Sequence, residues 1–292
     1  MIISGLTSSV SAITDELTTS DALLRSPLAL SRRIGFVKLR GGCGASATAG
    51  YVASLLARRR SGMVLAVNAS AGEANLLWHA GLVRSTPGTA DNAQRRAHAS
   101  TASDARAGLP VTGTGLLALD LGRDHLAASA GTWFEQVSPI ARFYDLVITD
   151  FGVRHRQADL RQVARASHVV CLVARADRNS AEEAAALLPA LAESEDQPRV
   201  VLALVDVGRT AERTPQLLGD QLQVPVLTIP YDARRAAARQ VASRRFPRKT
   251  RLAYIRLCTA LMAEAVQPAY RRLVAPEPAP ATGVGPTGGE RP

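Results

Sequence analysis

The chain has 292 residues, 47% of them apolar but only 4% aromatic, so it can bury the core of one large α/β domain, built mostly from Ala, Val and Leu. It contains no run of about eighteen apolar residues, which argues against a helical membrane span, and Met1–Ser26 lacks the basic start and apolar centre of a secretory signal. The net charge of +10 is local: eleven Lys or Arg residues and one acid, Glu264, fall between Arg234 and Arg272, while the other 24 basic and 24 acidic residues cancel. A concentrated basic segment suits an anionic partner, although a solvated arginine-rich face has the same composition.

In chain order, residues 1–30 read as a short helix or arm, with an amphipathic patch near Ile13–Leu24. The main domain is expected over 31–272. Its strands are predicted at Ile34–Leu39, Met63–Val67, Gly115–Leu121, Asp145–Asp150, His168–Val173, Val200–Val205 and Val226–Ile229. Helical spacing of apolar residues predicts helices at Ala45–Arg60, Ala74–Ala80, Asp124–Phe143, Asp159–Ala166, Ala181–Ala192 (capped by Ser180), Thr214–Leu222 and 249–266. The polar stretch 84–112 is expected to be a mobile insertion of low order with one helix near Asn92–Ser100. The Pro- and Gly-rich tail, 273–292, is expected to be disordered. Seven apolar strands alternating with helices predict an α/β fold, a mainly parallel seven-stranded sheet with helices on both faces, which is a layout that P-loop NTPase-like folds share with others.

Ligands of such sheets bind beyond the C-terminal strand ends, which directs attention to the loop after the first strand. Residues 40–47 there read Arg40-Gly41-Gly42-Cys43-Gly44-Ala45-Ser46-Ala47. A buried strand, a glycine turn and a helix N-terminus together present free N–H groups to an anion. The lysine that phosphate loops carry before their Ser or Thr is replaced by Ala45. A plain tight turn, or a loose dinucleotide fingerprint with Asn68 at the ribose-binding position, are the other readings of the glycines. Cys43 at a helix N-terminus reads as a small filler or a reactive thiol. The Asp150-Phe151-Gly152 tripeptide matches the kinase metal motif, but no His-Arg-Asp catalytic loop or strand lysine accompanies it, so the match is chance. The three cysteines, Cys43, Cys171 and Cys258, are too far apart for a metal pair, and their number fits a reducing cytoplasm. His155 and His168 read as a surface and a strand-edge residue.

These motifs, in their order and spacing over roughly 32–265, resemble the ParA/MinD family of P-loop ATPases. The family's loop, Lys-Gly-Gly-x-Gly-Lys-Thr-Thr, aligns with Arg40–Ala47. Its second-strand acidic motif aligns with Val67-Asn68-Ala69-Ser70-Ala71, and its Walker B strand with Tyr144–Gly152, ending at Asp150. Val224-Pro225-Val226-Leu227-Thr228-Ile229-Pro230-Tyr231-Asp232 resembles the family's loop beside the adenine. The Ile-Pro-Tyr-Asp stretch with the Thr250–Tyr254 helix is similar to actinobacterial MinD-like proteins found with type VII secretion systems.

The resemblance implies ATP held by Arg40, Gly41, Gly42, Cys43, Gly44, Ala45, Ser46, Ala47, Asp150, Pro230 and Asp232, with Ser46 and Asp150 on Mg²⁺. It also implies a homodimer, and DNA or another acidic surface on Arg234–Arg256. The departures all weaken that chemistry. Ala45 removes a cation worth about 2–5 kcal/mol to a buried phosphate. Arg40 replaces the signature lysine, and Asn68 and Ser70 replace both acids of the second motif. The sequence therefore predicts a degenerate, non-hydrolysing member, a cytoplasmic regulator or scaffold acting through a protein partner such as secretion machinery. The alternative is an active partitioning or positioning ATPase with non-specific DNA binding.

Overall fold

The structure is a computed structural model that describes residues 3–82, 89–122, 126–154, 157–192, 196–209, 222–236, 240 and 245–267. Seven parallel strands form one sheet in the order β3-β2-β4-β1-β5-β6-β7. They are β1 (Arg32–Lys38), β2 (Val64–Asn68), β3 (Leu117–Asp120), β4 (Leu146–Val153), β5 (Val169–Arg175), β6 (Arg199–Val205) and β7 (Val226–Ile229). The α/β fold with a parallel seven-stranded sheet, expected from the pattern of apolar runs, is thus the one observed.

Alternate residues of each strand feed two cores. Ile34, Phe36, Val64, Ala66, Ile148 and Cys171 face one layer, made by α1 (Ile3–Arg25), α2 (Ala45–Arg59), α3 (Leu76–His79) and the closing helix Arg248–Val266. Val37, Leu65, Val67, Val147, Val170 and Leu172 face the other. Burial on both faces explains why these strands read as unbroken apolar runs. The N-terminal helix is longer than a short arm and is tied down. Arg256 makes two bonds to Glu16 (2.5 and 2.8 Å), and the buried Arg60 donates Nη1–H to the carbonyl of Leu24 at 2.9 Å.

The composition of 84–112 predicts low order, yet its described part, 89–112, contains α4 (Ala90–Ala97) and α5 (Ala102–Ala105). Thr89 caps α4, and Thr101 with Asp104 forms a capping box on α5, so the polar residues are helix starts rather than loop filler. The buried Tyr144 and the exposed Arg142 pin the segment. The Tyr144 hydroxyl donates to the Ala105 carbonyl at 2.8 Å and Arg142 to the Ala99 carbonyl at 2.9 Å. Burial pushes the Tyr144 hydroxyl up to about 12.

Two predicted helices are each broken in two. The 124–143 helix is α6 (Ala130–Gln136), capped by Ser129, and then α7 (Ser138–Ala141), with Pro139 in the first turn of the second piece. The 181–192 helix is α9 (Arg178–Ala185) and α10 (Leu188–Ala192), after α8 (Gln157–Ala166). Its cap is Asp177, whose Oδ1 accepts from the Ser180 N–H at 2.9 Å, and not Ser180 itself. The expected Thr214–Leu222 helix (apart from Leu222), the 273–292 tail and His155 lie outside the described residues.

His168, at the start of β5, accepts the Arg33 N–H on Nδ1 at 2.9 Å and is therefore neutral. Burial, and then the charges of Arg33 and Arg32, lower its pKa from 6.5 to about 4. Between those values the unfolded chain binds a proton that the native one does not, so stability falls as pH drops from about 6.5 to 4. The loss is about 1–2 kcal/mol once partial exposure is allowed for. Thermal unfolding measured across that range is expected to show the decline, and His168→Gln is expected to flatten it.

Candidate functional site

The C-terminal ends of the strands converge on the glycine loop. The chain leaves β1 at Lys38, turns through residues 39–44 and enters α2 at Ala45. Gly42 (φ +73°) and Gly44 (φ +83°) take left-handed backbone that side chains rarely adopt. A Cβ at Gly42 would also lie 3.2 Å from the Arg175 guanidinium, and one at Gly44 3.2 Å from Val205. A Cβ at Gly41 would meet nothing, so its glycine is not sterically demanded. Gly44 caps α2 with no side-chain acceptor, and the first residues of the helix, Ala45, Ser46 and Ala47, line the cleft that follows.

That cleft has a volume of about 580 Å³. Its loop end is formed by Gly42, Gly44, Ala45, Ser46 and Ala47. Asp206 after β6, and Tyr231 and Asp232 after β7, line it as well. Asp232 is 5% exposed; its Oδ1 accepts from the Arg234 N–H at 3.0 Å, while Oδ2 has no hydrogen-bond partner among the described residues. The Arg209 guanidinium lies 4.8 Å from the Tyr231 ring centroid.

Of the predicted residues, Gly42, Gly44, Ala45, Ser46, Ala47 and Asp232 come together around this cleft; Arg40, Gly41, Cys43, Asp150 and Pro230 do not line it. Arg40 turns outward to Glu183 on α9, at 2.5 Å. The Cys43 thiol is 4% exposed and points at the Val173 carbonyl, 3.6 Å away. Burial pushes that thiol above its usual range, so it packs as a small filler.

Asp150 is fully buried in β4, and both its oxygens are engaged. Oδ1 accepts from the Gly152 N–H at 2.9 Å, and Oδ2 from the Ser70 hydroxyl at 3.1 Å. The same hydroxyl lies 2.8 Å from Asn68 Oδ1, and Asn68 Nδ2 donates to Asp120 Oδ1 at 2.8 Å. A closed polar chain, Asp120–Asn68–Ser70–Asp150, thus links the ends of β3, β2 and β4.

Three of these residues escape the motif reading. Asp120, at the end of β3, stands beside the strand end where an acid is missing. Lys38 and Arg175, at the ends of β1 and β5, line the cleft. Lys38 Nζ donates to Ser46 Oγ at 3.1 Å. The signal for Lys38 was present in composition: it is one of only two lysines among 35 basic residues.

These groups suit a phosphate better than a metal. The open glycine turn, the helix N-terminus and two cations can face phosphate oxygens. A Mg²⁺ ion needs oxygen ligands in near-octahedral geometry. Here the Ser46 hydroxyl already receives an ammonium, and Asp150 is enclosed with both oxygens occupied, so the donor set does not fit the ion. Nor does any group of three His, Cys, Asp or Glu side chains that could hold a metal occur among the described residues.

The sheet order sets the glycine loop at the middle of the sheet, after β1. No protein-family model matches the chain, and no curated protein matches it. Solved structures do. A ParA family ATPase from Chlorobium tepidum TLS aligns with a TM-score of 0.63 at 20% identity, over 78% of this chain and 98% of that one. The septum site-determining protein MinD complexed with Mg-ADP, from Pyrococcus horikoshii OT3, aligns with a TM-score of 0.59 at 20% identity, over 78% and 94%. The MinC:MinD cell division protein complex of Aquifex aeolicus aligns with a TM-score of 0.58 at 18% identity, over 81% and 97%. At these identities the likeness is one of fold. No described helix is long and apolar enough to cross a membrane.

Proposed function

We propose that the chain is a non-hydrolysing protein of ParA/MinD-like fold that regulates or scaffolds a larger machinery through protein contacts, with type VII secretion as its setting. One observation carries this reading: Asp150 is fully buried and held by Ser70 and Gly152, outside the cleft. Hydrolysis needs a group that orients or deprotonates water beside the phosphates. Asn68 and Ser70 are neutral, and they spend their hydrogen bonds on each other and on Asp120 and Asp150. Ala45, 1% exposed at the start of α2, offers no charge.

The exposed cations Arg248, Lys249 and Arg251 on the closing helix offer an acidic partner a surface, whereas Arg256 is taken by Glu16. Residues 237–239 and 241–244 of the basic segment lie outside the described residues. That a similar fold occurs in a MinC:MinD complex supports action through protein contacts. The secretion setting is supported by the sequence resemblance over Ile229–Asp232 and Thr250–Tyr254. The same exposed cations favour the second reading, a positioning or partition ATPase that touches DNA non-specifically.

Titrating the purified chain with ATP and Mg²⁺, with heat and phosphate release followed together, separates the two. The proposal expects no phosphate release above the buffer blank. Micromolar binding with turnover that Asp150→Ala abolishes would sink it.

A further inference from the structure

In most phosphate loops the helix-starting Ser or Thr hydroxyl ligates Mg²⁺, and a lysine one residue earlier reaches the phosphates. Here the lysine is missing from the helix and another cation has arrived from the strand. Lys38 Nζ lies 3.1 Å from Ser46 Oγ, at the hydroxyl a metal would need. Arg175 closes over the loop, with its guanidinium 3.2 Å from where a Gly42 Cβ would stand. Among the described residues neither cation joins an ion pair. Both line the cleft at its glycine end. The carboxylates that share it, Asp206 and Asp232, follow β6 and β7.

We propose that Lys38 has taken the place of the metal ion, so that the cleft binds the phosphates of a nucleoside di- or triphosphate without Mg²⁺. The inference rests on the non-hydrolysing reading above and gives that site a ligand. Lys38 and Arg175 supply two positive charges where the phosphates meet the free N–H groups of the loop and of α2. An ammonium already on Ser46 repels a divalent cation, so Mg²⁺ competes with the site instead of completing it. The buried Asp232 favours a nucleotide over a bare polyphosphate. The phosphates face the cations, and Asp232 Oδ2, buried and without a hydrogen-bond partner among the described residues, accepts an N–H from an amino group on the base.

The test is equilibrium titration of the full chain with ATP, ADP and tripolyphosphate, in excess EDTA and again in millimolar Mg²⁺. ATP and ADP are expected to bind in EDTA, no more weakly than in Mg²⁺, and more tightly than tripolyphosphate. Lys38→Met is expected to weaken binding in EDTA roughly 30-fold or more, and Lys38→Arg, which keeps the charge, far less. Binding that requires Mg²⁺, an unchanged affinity in Lys38→Met, or no binding at all overturns the proposal. Tripolyphosphate binding as tightly as ATP overturns the nucleotide assignment. The wild-type comparison of EDTA with Mg²⁺ is decisive even if the variants fail to fold. Phosphate release, measured separately, counts against the non-hydrolysing reading alone; metal-dependent binding without release counts against this inference alone.

Discussion

Asn68→Asp, the substitution that puts back the acid expected at the end of β2, is expected to destabilise the protein by about 2–4 kcal/mol at neutral pH and to confer no activity. Asn68 is 1% exposed, and its Nδ2 donates to Asp120 Oδ1 at 2.8 Å while its Oδ1 accepts from Ser70. A carboxylate keeps the acceptor but loses the donor, and it sets two negative charges against each other in a buried place. One of the pair then holds its proton to higher pH in the folded state than in the unfolded chain. The folded state therefore binds more protons, and the variant's deficit grows as pH rises above about 4 and shrinks toward acid. Denaturant unfolding of wild type and variant at several pH values measures this. A variant as stable as wild type at pH 7 would show that Asp120 does not constrain position 68.

Trp133→Ala is expected to cost about 3–5 kcal/mol, which for a domain of this size lowers the melting temperature by roughly 10 °C. Trp133 is 1% exposed on α6, stands edge-on to Phe134 at 5.2 Å, and donates Nε1–H to Thr149 Oγ1 at 3.1 Å. It packs among Ile140, Tyr144 and Phe151, side chains that are themselves fully buried and held in place, so the space it leaves is not readily refilled. Trp133→Phe keeps most of the volume but leaves the buried Thr149 hydroxyl without this partner, and is expected to cost about 1–3 kcal/mol. Calorimetric unfolding of the two variants separates the packing loss from the hydrogen-bond loss. Equal costs for Phe and Ala would place the effect in the hydrogen bond.

The strands were legible because a strand covered on both faces has no polar side to interrupt it. Met63–Val67 and His168–Val173 therefore read as short apolar runs, within a residue or two of the observed Val64–Asn68 and Val169–Arg175. The glycine loop was legible because Gly42 and Gly44 need left-handed backbone, which only glycine supplies without strain. What escaped depends on neighbours distant in sequence. Asp120 matters because β3 lies beside β2, and β2 beside β4, an order the chain does not spell out. Lys38 escaped because motif alignment asks what stands at position 45, not what reaches there from the strand before it. The 89–112 segment looked mobile by composition, but it is fastened by Tyr144 and Arg142, whose role appears only once they are seen to reach it.

In the proposed reading the site is a phosphate cradle whose cations have moved rather than vanished, beside a carboxylate locked away from water. The changes agree with one another. Lys38 on Ser46 opposes a metal, and Ser70 on Asp150 removes that carboxylate from service; both leave binding possible and turnover without a catalyst. Arg40, bonded to Glu183 at the surface, is held by a pair worth under about 1 kcal/mol, so a partner that offers a better acceptor can recruit it.

The most direct measurement is the fate of a single nucleotide on the protein. The chain is incubated with labelled ATP and Mg²⁺ in slight excess over protein, and the label is resolved by chromatography over a day. The account predicts that ATP is recovered intact, with no more ADP than the buffer alone produces, for wild type and Asp150→Ala alike. One equivalent of ADP per chain from wild type, absent from Asp150→Ala, would contradict it.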